Sequence, residues 1–134
     1  MEIFAVIVAA AVAWFWGAGW YMAWSRPWLR AAAIPCDADG KPLHGGTPLP
    51  FILSALAMLL VAGMMRHMLV MSGVSGAIPA AASGFGVGLF FVAPWVMINN
   101  AYAGRRVMLT VIDGGYAVTG CTLIGLVLGL FGVG

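Results

Sequence analysis

Charge is what this sequence has least of. Charged residues make up 7% of the 134, and a single lysine, Lys41, stands among the six basic ones. A soluble domain keeps about a quarter of its residues charged, so a water-facing globular surface is excluded. The net charge of +2 comes with no basic run interleaved with aromatics, which argues against nucleic acid as a partner. Two cysteines, Cys36 and Cys121, supply neither a disulfide framework nor metal-ligand spacing; each is read as a small hydrophobe. The N-terminus lacks the basic region of a secretory signal, and residue 2 is Glu where a myristoylation signal needs Gly. The first apolar run is therefore expected to be a retained transmembrane helix.

What fills the chain is apolar: hydrophobic residues are 63% of it. Runs of about 20 such residues cross a bilayer, and in lipid they must be helices because an isolated strand leaves its backbone unpaired. Four spans are expected, at about 3–24, 49–71, 79–99 and 107–131, in one all-α domain over residues 1–134, an integral membrane four-helix bundle. The second and third links are short, which predicts antiparallel neighbours for spans two and three and for spans three and four.

Five of the six basic residues, Arg26, Arg30, Lys41, Arg105 and Arg106, fall in loops one and three. An even number of spans puts those loops on one side, and the positive-inside rule makes it cytoplasmic. Both termini are then expected outside a bacterial inner membrane, with Arg66 and His67 near the outer end of span two, where they can snorkel to headgroups. In loop one, 25–48, Ser25 and Pro27 mark the start of a short interfacial helix that Pro35 stops. Asp37 and Asp39 before Gly40 match part of a calcium loop, but the closing Glu is missing and a solvated turn is expected. His44, among glycines and prolines, has no recognisable partner.

Small residues recur at spacing four: Ala13 and Gly17; Ala80, Gly84 and Gly88; Gly125 and Gly129. They allow close helix packing where the hydrophobic effect gives no help, within the chain or against a partner.

Asp113 is the most informative residue. A carboxylate about 9 Å inside a span costs several kcal/mol if unpaired. Arg106 lies seven residues earlier on nearly the same face, Asn99 and Asn100 end span three on the same side, and Tyr116 sits one turn deeper. Two readings stay open, a polar site and a structural clamp on helix packing. Trp16, Trp20, Trp24 and Trp28 fall at intervals of four, and the first three form a slanted stripe whose depth exceeds the headgroup zone. Trp24 and Trp28, with Arg26 and Arg30, are expected to anchor the surface. Trp16 and Trp20 lie at hydrocarbon depth, where each indole N–H needs an acceptor, and at least one is expected to face the polar layer around Asp113 or a partner subunit.

The elements Gly17, Ala18, Trp20, Tyr21 and Trp28, with Asn99, Asn100, Tyr102, Gly104, Arg105, Asp113 and Tyr116 at the last junction, carry a resemblance. They resemble the small four-helix bacterial membrane proteins grouped as domain of unknown function 1761. The resemblance implies a fold, not an activity, and the proline-rich stretch 36–50 departs from the family's pattern.

There is no G-x-S-x-G, no HExxH and no phosphate-binding loop, so no catalytic residue, metal ligand or cofactor is assigned. The first reading is a non-enzymatic module, an accessory or assembly subunit packing with itself as a homo-oligomer or with a larger membrane complex. Against it stand a small transporter or channel with a polar site at Asp113, and a lipid-, quinone- or pigment-binding protein or enzyme. The lipid bilayer is the one partner that all three share.

Overall fold

In the computed structural model residues 2–43 and 47–132 are described; His44 lies outside them. Helix α1 is Glu2–Ala23, α2 Ser25–Ala31, α3 Leu49–Met71, α4 Ala77–Val87, α5 Ala93–Tyr102 and α6 Val107–Leu130. A single π turn, Gly88–Val92, joins α4 to α5, so these form one span of 26 residues, Ala77–Tyr102. All four spans are long and apolar enough to cross a membrane, and the chain is an all-α, multi-pass membrane protein. The large apolar side chains it leaves exposed, such as Phe15, Leu60, Ile78 and Phe90, are what a lipid-facing surface requires.

The π turn has a local cause. Pro94 sits in the first turn of α5, lacks an N–H, and its ring would press on the carbonyl four residues back. A widened turn just before it absorbs that conflict inside an otherwise continuous span.

Span order does not set the packing. Spans two and three barely touch despite their short link; α3 packs on α1, and α4 packs on α6. The reason is side-chain volume. Helix α1 offers a buried alanine face, Ala5, Ala9, Ala10 and Ala13, and the core gathers it with Met65 and Leu69 of α3. Helix α4 offers the small stripe, and α6 answers it with glycine. A Cβ added at Gly125 would collide with the Ala80 carbonyl, one at Gly84 with the Cys121 carbonyl, and one at Gly88 would lie 2.6 Å from Val118 Cα. At Gly129 the nearest atom would be Ala77 Cα, 2.7 Å away. Ala80, Gly84, Gly88, Gly125 and Gly129 therefore form an internal seam, backbone against backbone.

Helix α2 begins almost without a break. Only Trp24 (φ −104°, ψ 17°) separates it from α1, and Ser25 is its first residue, not its cap. Trp24 N–H still donates to the Trp20 carbonyl and Trp28 N–H to the Trp24 carbonyl, so there is no free helix start for a serine to close. The helix ends before Pro35 is reached. Ala33 adopts φ 56°, and Ile34 N–H donates back to the Leu29 carbonyl, the six-to-one closure usually made with glycine. Ala31 and Ala32 are then buried with Leu109 of α6, with Trp28 and Ile34 packed alongside. Arg105 Nη1 donates to the Ala32 carbonyl at 2.6 Å. The turn that follows is closed on itself: Asp37 Oδ1 accepts from the amides of Asp39 and Lys41.

At the opposite end Arg66 pairs with Glu2 at 2.7 Å. Snorkelling is thus not all that holds Arg66: its partner is the first turn of α1, on the helix against which α3 packs. His67 beside it is exposed.

Candidate functional site: a carboxylate held by aromatic donors

Asp113 lies in the second turn of α6, half-buried, between α1 and α2. Its Oδ1 accepts two hydrogen bonds, from Tyr21 Oη at 2.7 Å and from Trp28 Nε1 at 3.0 Å. One donor comes from the last turn of α1 and the other from α2, so the carboxylate ties α6 to both sides of the Trp24 joint. The two rings meet edge-on, centroids 5.9 Å apart. Two neutral donors on one oxygen satisfy a half-buried acceptor without the desolvation of a second charge.

The expected cation partner is not there. Arg106 is the residue that caps α6, extended at φ −66°, ψ 147°, and exposed; among the described residues the one ion pair is Arg66–Glu2. The seven-residue face argument fails because Arg106 is not yet helical, and because helical side chains lean toward the N-terminus, which carries Arg106 away from Asp113. Asn100 Nδ2 donates to Thr110 Oγ1 at 3.1 Å and so joins α5 to α6, whereas Asn99 is exposed.

Deeper in the membrane the contact between α1 and α6 continues through aromatic donors. Trp20 Nε1 donates to the Ile112 carbonyl and Trp16 Nε1 to Thr119 Oγ1, both at 2.9 Å. Tyr116 Oη donates to the Ala13 carbonyl at 2.9 Å, with Met58 Sδ at 3.4 Å, and its ring meets Tyr21 edge-on at 5.5 Å. Gly17 makes room for it: an added Cβ would fall 2.7 Å from the Tyr116 ring. Gly17 therefore faces a tyrosine, not another helix backbone, and Ala13 contributes a carbonyl as well as a small side chain. Trp28 turns inward to Asp113, which leaves Trp24, 44% exposed, with Arg26 and Arg30 at the surface.

Tyr21 is the residue that reading the sequence undervalues. It enters only through the resemblance, yet it is the shorter of the two bonds to Asp113. A signal was present: Tyr21 follows Gly17 by four residues, so both share a face of α1. Spacing alone does not place Trp28, because Trp24, between it and Tyr21, departs from helical backbone angles.

The inner rings also wall a groove. A cavity of about 500 Å³ is lined by Trp14, Gly17, Ala18, Tyr21 and Tyr116 on one side and by Phe51 and Ser54 of α3 on another. Ser25, Trp28 and Leu29 close its α2 end, with Pro42 from the long loop and Pro50 from the first turn of α3. Trp14 Nε1 donates to Ser54 Oγ at 2.9 Å and the serine hydroxyl to the Phe51 carbonyl, so that indole is already satisfied. The proline-rich loop thus has a structural place here. The groove is aromatic and apolar, with a few hydroxyl and indole groups among its walls, the composition of a small-molecule site.

Residues 4–129 match the model of the family described as protein of unknown function (DUF1761), and the chain belongs to that family. No curated protein and no solved structure matches it.

Proposed function

We propose that this family member binds an amphiphilic, membrane-soluble molecule, of the lipid or quinone class, in the groove between α1, α2 and α3. One observation carries the reading: the two donors that hold Asp113, Tyr21 and Trp28, are also groove wall. The carboxylate fixes those rings, and the fixed rings shape a pocket that side-chain packing alone would close. The accessory-subunit reading drew on the Gly/Ala faces, and inside the chain the α4–α6 seam fills those of α4 and α6 while Tyr116 covers Ala13 and Gly17. By the positive-inside rule the groove opens in the cytoplasmic leaflet of a bacterial inner membrane, with both termini outside.

Ala18 lines the groove and is exposed, so Ala18→Phe fills the space without disturbing the bonds to Asp113. In native mass spectrometry after delipidation, wild-type protein is expected to retain one added amphiphile, phospholipid or decyl-ubiquinone, per chain, and the Ala18→Phe variant to lose it. Equal retention by the two proteins would sink the reading.

A further inference from the structure

The groove shares Leu29 with a second cavity on the neighbouring face of α2. That cleft, of about 600 Å³, is lined by Arg26, Leu29 and Arg30 of α2, by Ile34 and Cys36, and by the turn that carries Asp39. Arg26 and Arg30 are one helical turn apart, so their guanidinium groups rise from the same face. Both are exposed, and among the described residues neither makes a salt bridge. The cleft therefore holds two cations against one carboxylate, on the helix that directly follows the exposed Trp24.

Its walls are fixed independently of any ligand. Helix α2 is held by the Trp28–Asp113 bond, by the burial of Ala31 and Ala32 against Leu109, and by Arg105 on the Ala32 carbonyl. The opposite wall is held by the Asp37 carboxylate on two amides of its own turn and by the backbone pairing of Cys36 with Pro42. Two unpaired arginines on a rigid wall suit a phosphodiester, whose oxygens accept from guanidinium forks. An apolar groove that begins one residue away, at Leu29, suits the chain attached to it.

We propose that cleft and groove form one bipartite site for an anionic phospholipid, with the phosphodiester at Arg26 and Arg30 and an acyl chain along Trp14, Tyr21 and Trp28. Asp39 is an acceptor in the same cleft, which fits a headgroup carrying hydroxyls beside its phosphate. The source of the phosphodiester is the bilayer itself, whose cytoplasmic leaflet is where such lipids meet basic residues. This inference rests on the groove reading above.

The experiment compares phosphatidylglycerol with phosphatidylcholine of identical acyl chains, by native mass spectrometry on the full chain. Wild-type protein is expected to retain phosphatidylglycerol about tenfold better, each arginine contributing roughly fivefold or less. The double variant Arg26→Gln, Arg30→Gln should bind both lipids equally while keeping the weaker, Ala18→Phe-sensitive binding. Equal retention of the two lipids by the wild type overturns the headgroup assignment and leaves the groove standing. Loss of neither lipid in Ala18→Phe overturns the groove and the bipartite site together. A third arm adds millimolar inorganic phosphate: displacement of phosphatidylglycerol by it would show a free-phosphate cleft and overturn the lipid assignment. Because Arg26 and Arg30 are exposed, their replacement leaves the fold intact, checked by an unchanged unfolding midpoint.

Discussion

Helix α6 meets α4 through glycine and alanine, backbone against backbone, and meets α1 through tryptophan and tyrosine, each ring reaching across with a hydrogen bond. Both solve the same problem, since lipid gives helices no hydrophobic reason to associate and leaves close packing and polar bonds to do so. The glycine seam gains contact by excluding side chains, so it has no room for anything else. The aromatic contact places large rings between helices, and two of them, Tyr21 and Tyr116, become walls of a groove. A dry seam on one side of α6 thus makes the scaffold, and a bonded, open contact on the other makes the candidate site.

The sharpest break between the two sides is volume at the seam. Gly125→Leu forces a side chain into the Ala80 backbone, which cannot rotate away, so a loss of more than about 3 kcal/mol is expected. The readout is loss of the monodisperse, detergent-solubilised protein; a folded variant of near-normal stability would mean the seam is looser than described. On the aromatic side the largest effect belongs to Asp113. Asp113→Leu strands the Tyr21 hydroxyl and the Trp28 indole together, at about 2–4 kcal/mol for two orphaned donors. Asp113→Asn keeps a carbonyl acceptor and should recover most of that loss in reversible unfolding. If Asn were as damaging as Leu, the charge and not the two bonds would be what matters.

Gly17→Ala is an intermediate case. Its Cβ meets the far end of the Tyr116 ring, not backbone, so a cost of about 1–2 kcal/mol is expected, below that of the same substitution at Gly84. The smallest effect is at Trp16. Trp16→Phe removes one indole donor at a half-exposed position, and Thr119 keeps its own bond to the Gly115 carbonyl. A cost near 0.6 kcal/mol is expected, the usual size for such bonds in a bilayer, measured by unfolding in mixed micelles. A cost above that of Asp113→Leu would invert the ranking and move the centre of the site toward Thr119.

How much of this was legible depends on whether the signal is local. Span existence rests on hydropathy alone, and spacing-four glycines announce close packing wherever they find a match. The partner of each stripe is not local: α4 finds α6 and not α3, and Gly17 finds a tyrosine, because complementarity of volume decides. At Asp113 the need for a partner could be read from the cost of a carboxylate in hydrocarbon. Its identity could not, because extrapolation along α6 names Arg106, while the real donors arrive from α1 and α2 across the fold.

Composition and spacing were enough to put this chain in a membrane as four helices, to gather five of its six basic residues in loops one and three, and to place a carboxylate inside the last span. These follow from composition and from spacing along one helix, where free energies of transfer add residue by residue. Tertiary structure alone decided that Tyr21 and Trp28 hold Asp113, that the Gly/Ala stripes are spent within the chain, and that Arg26 and Arg30 line a cleft one residue from an aromatic groove. Those depend on which helices meet and at what depth. A nearly charge-free sequence fixes such things only through shape and a handful of buried hydrogen bonds.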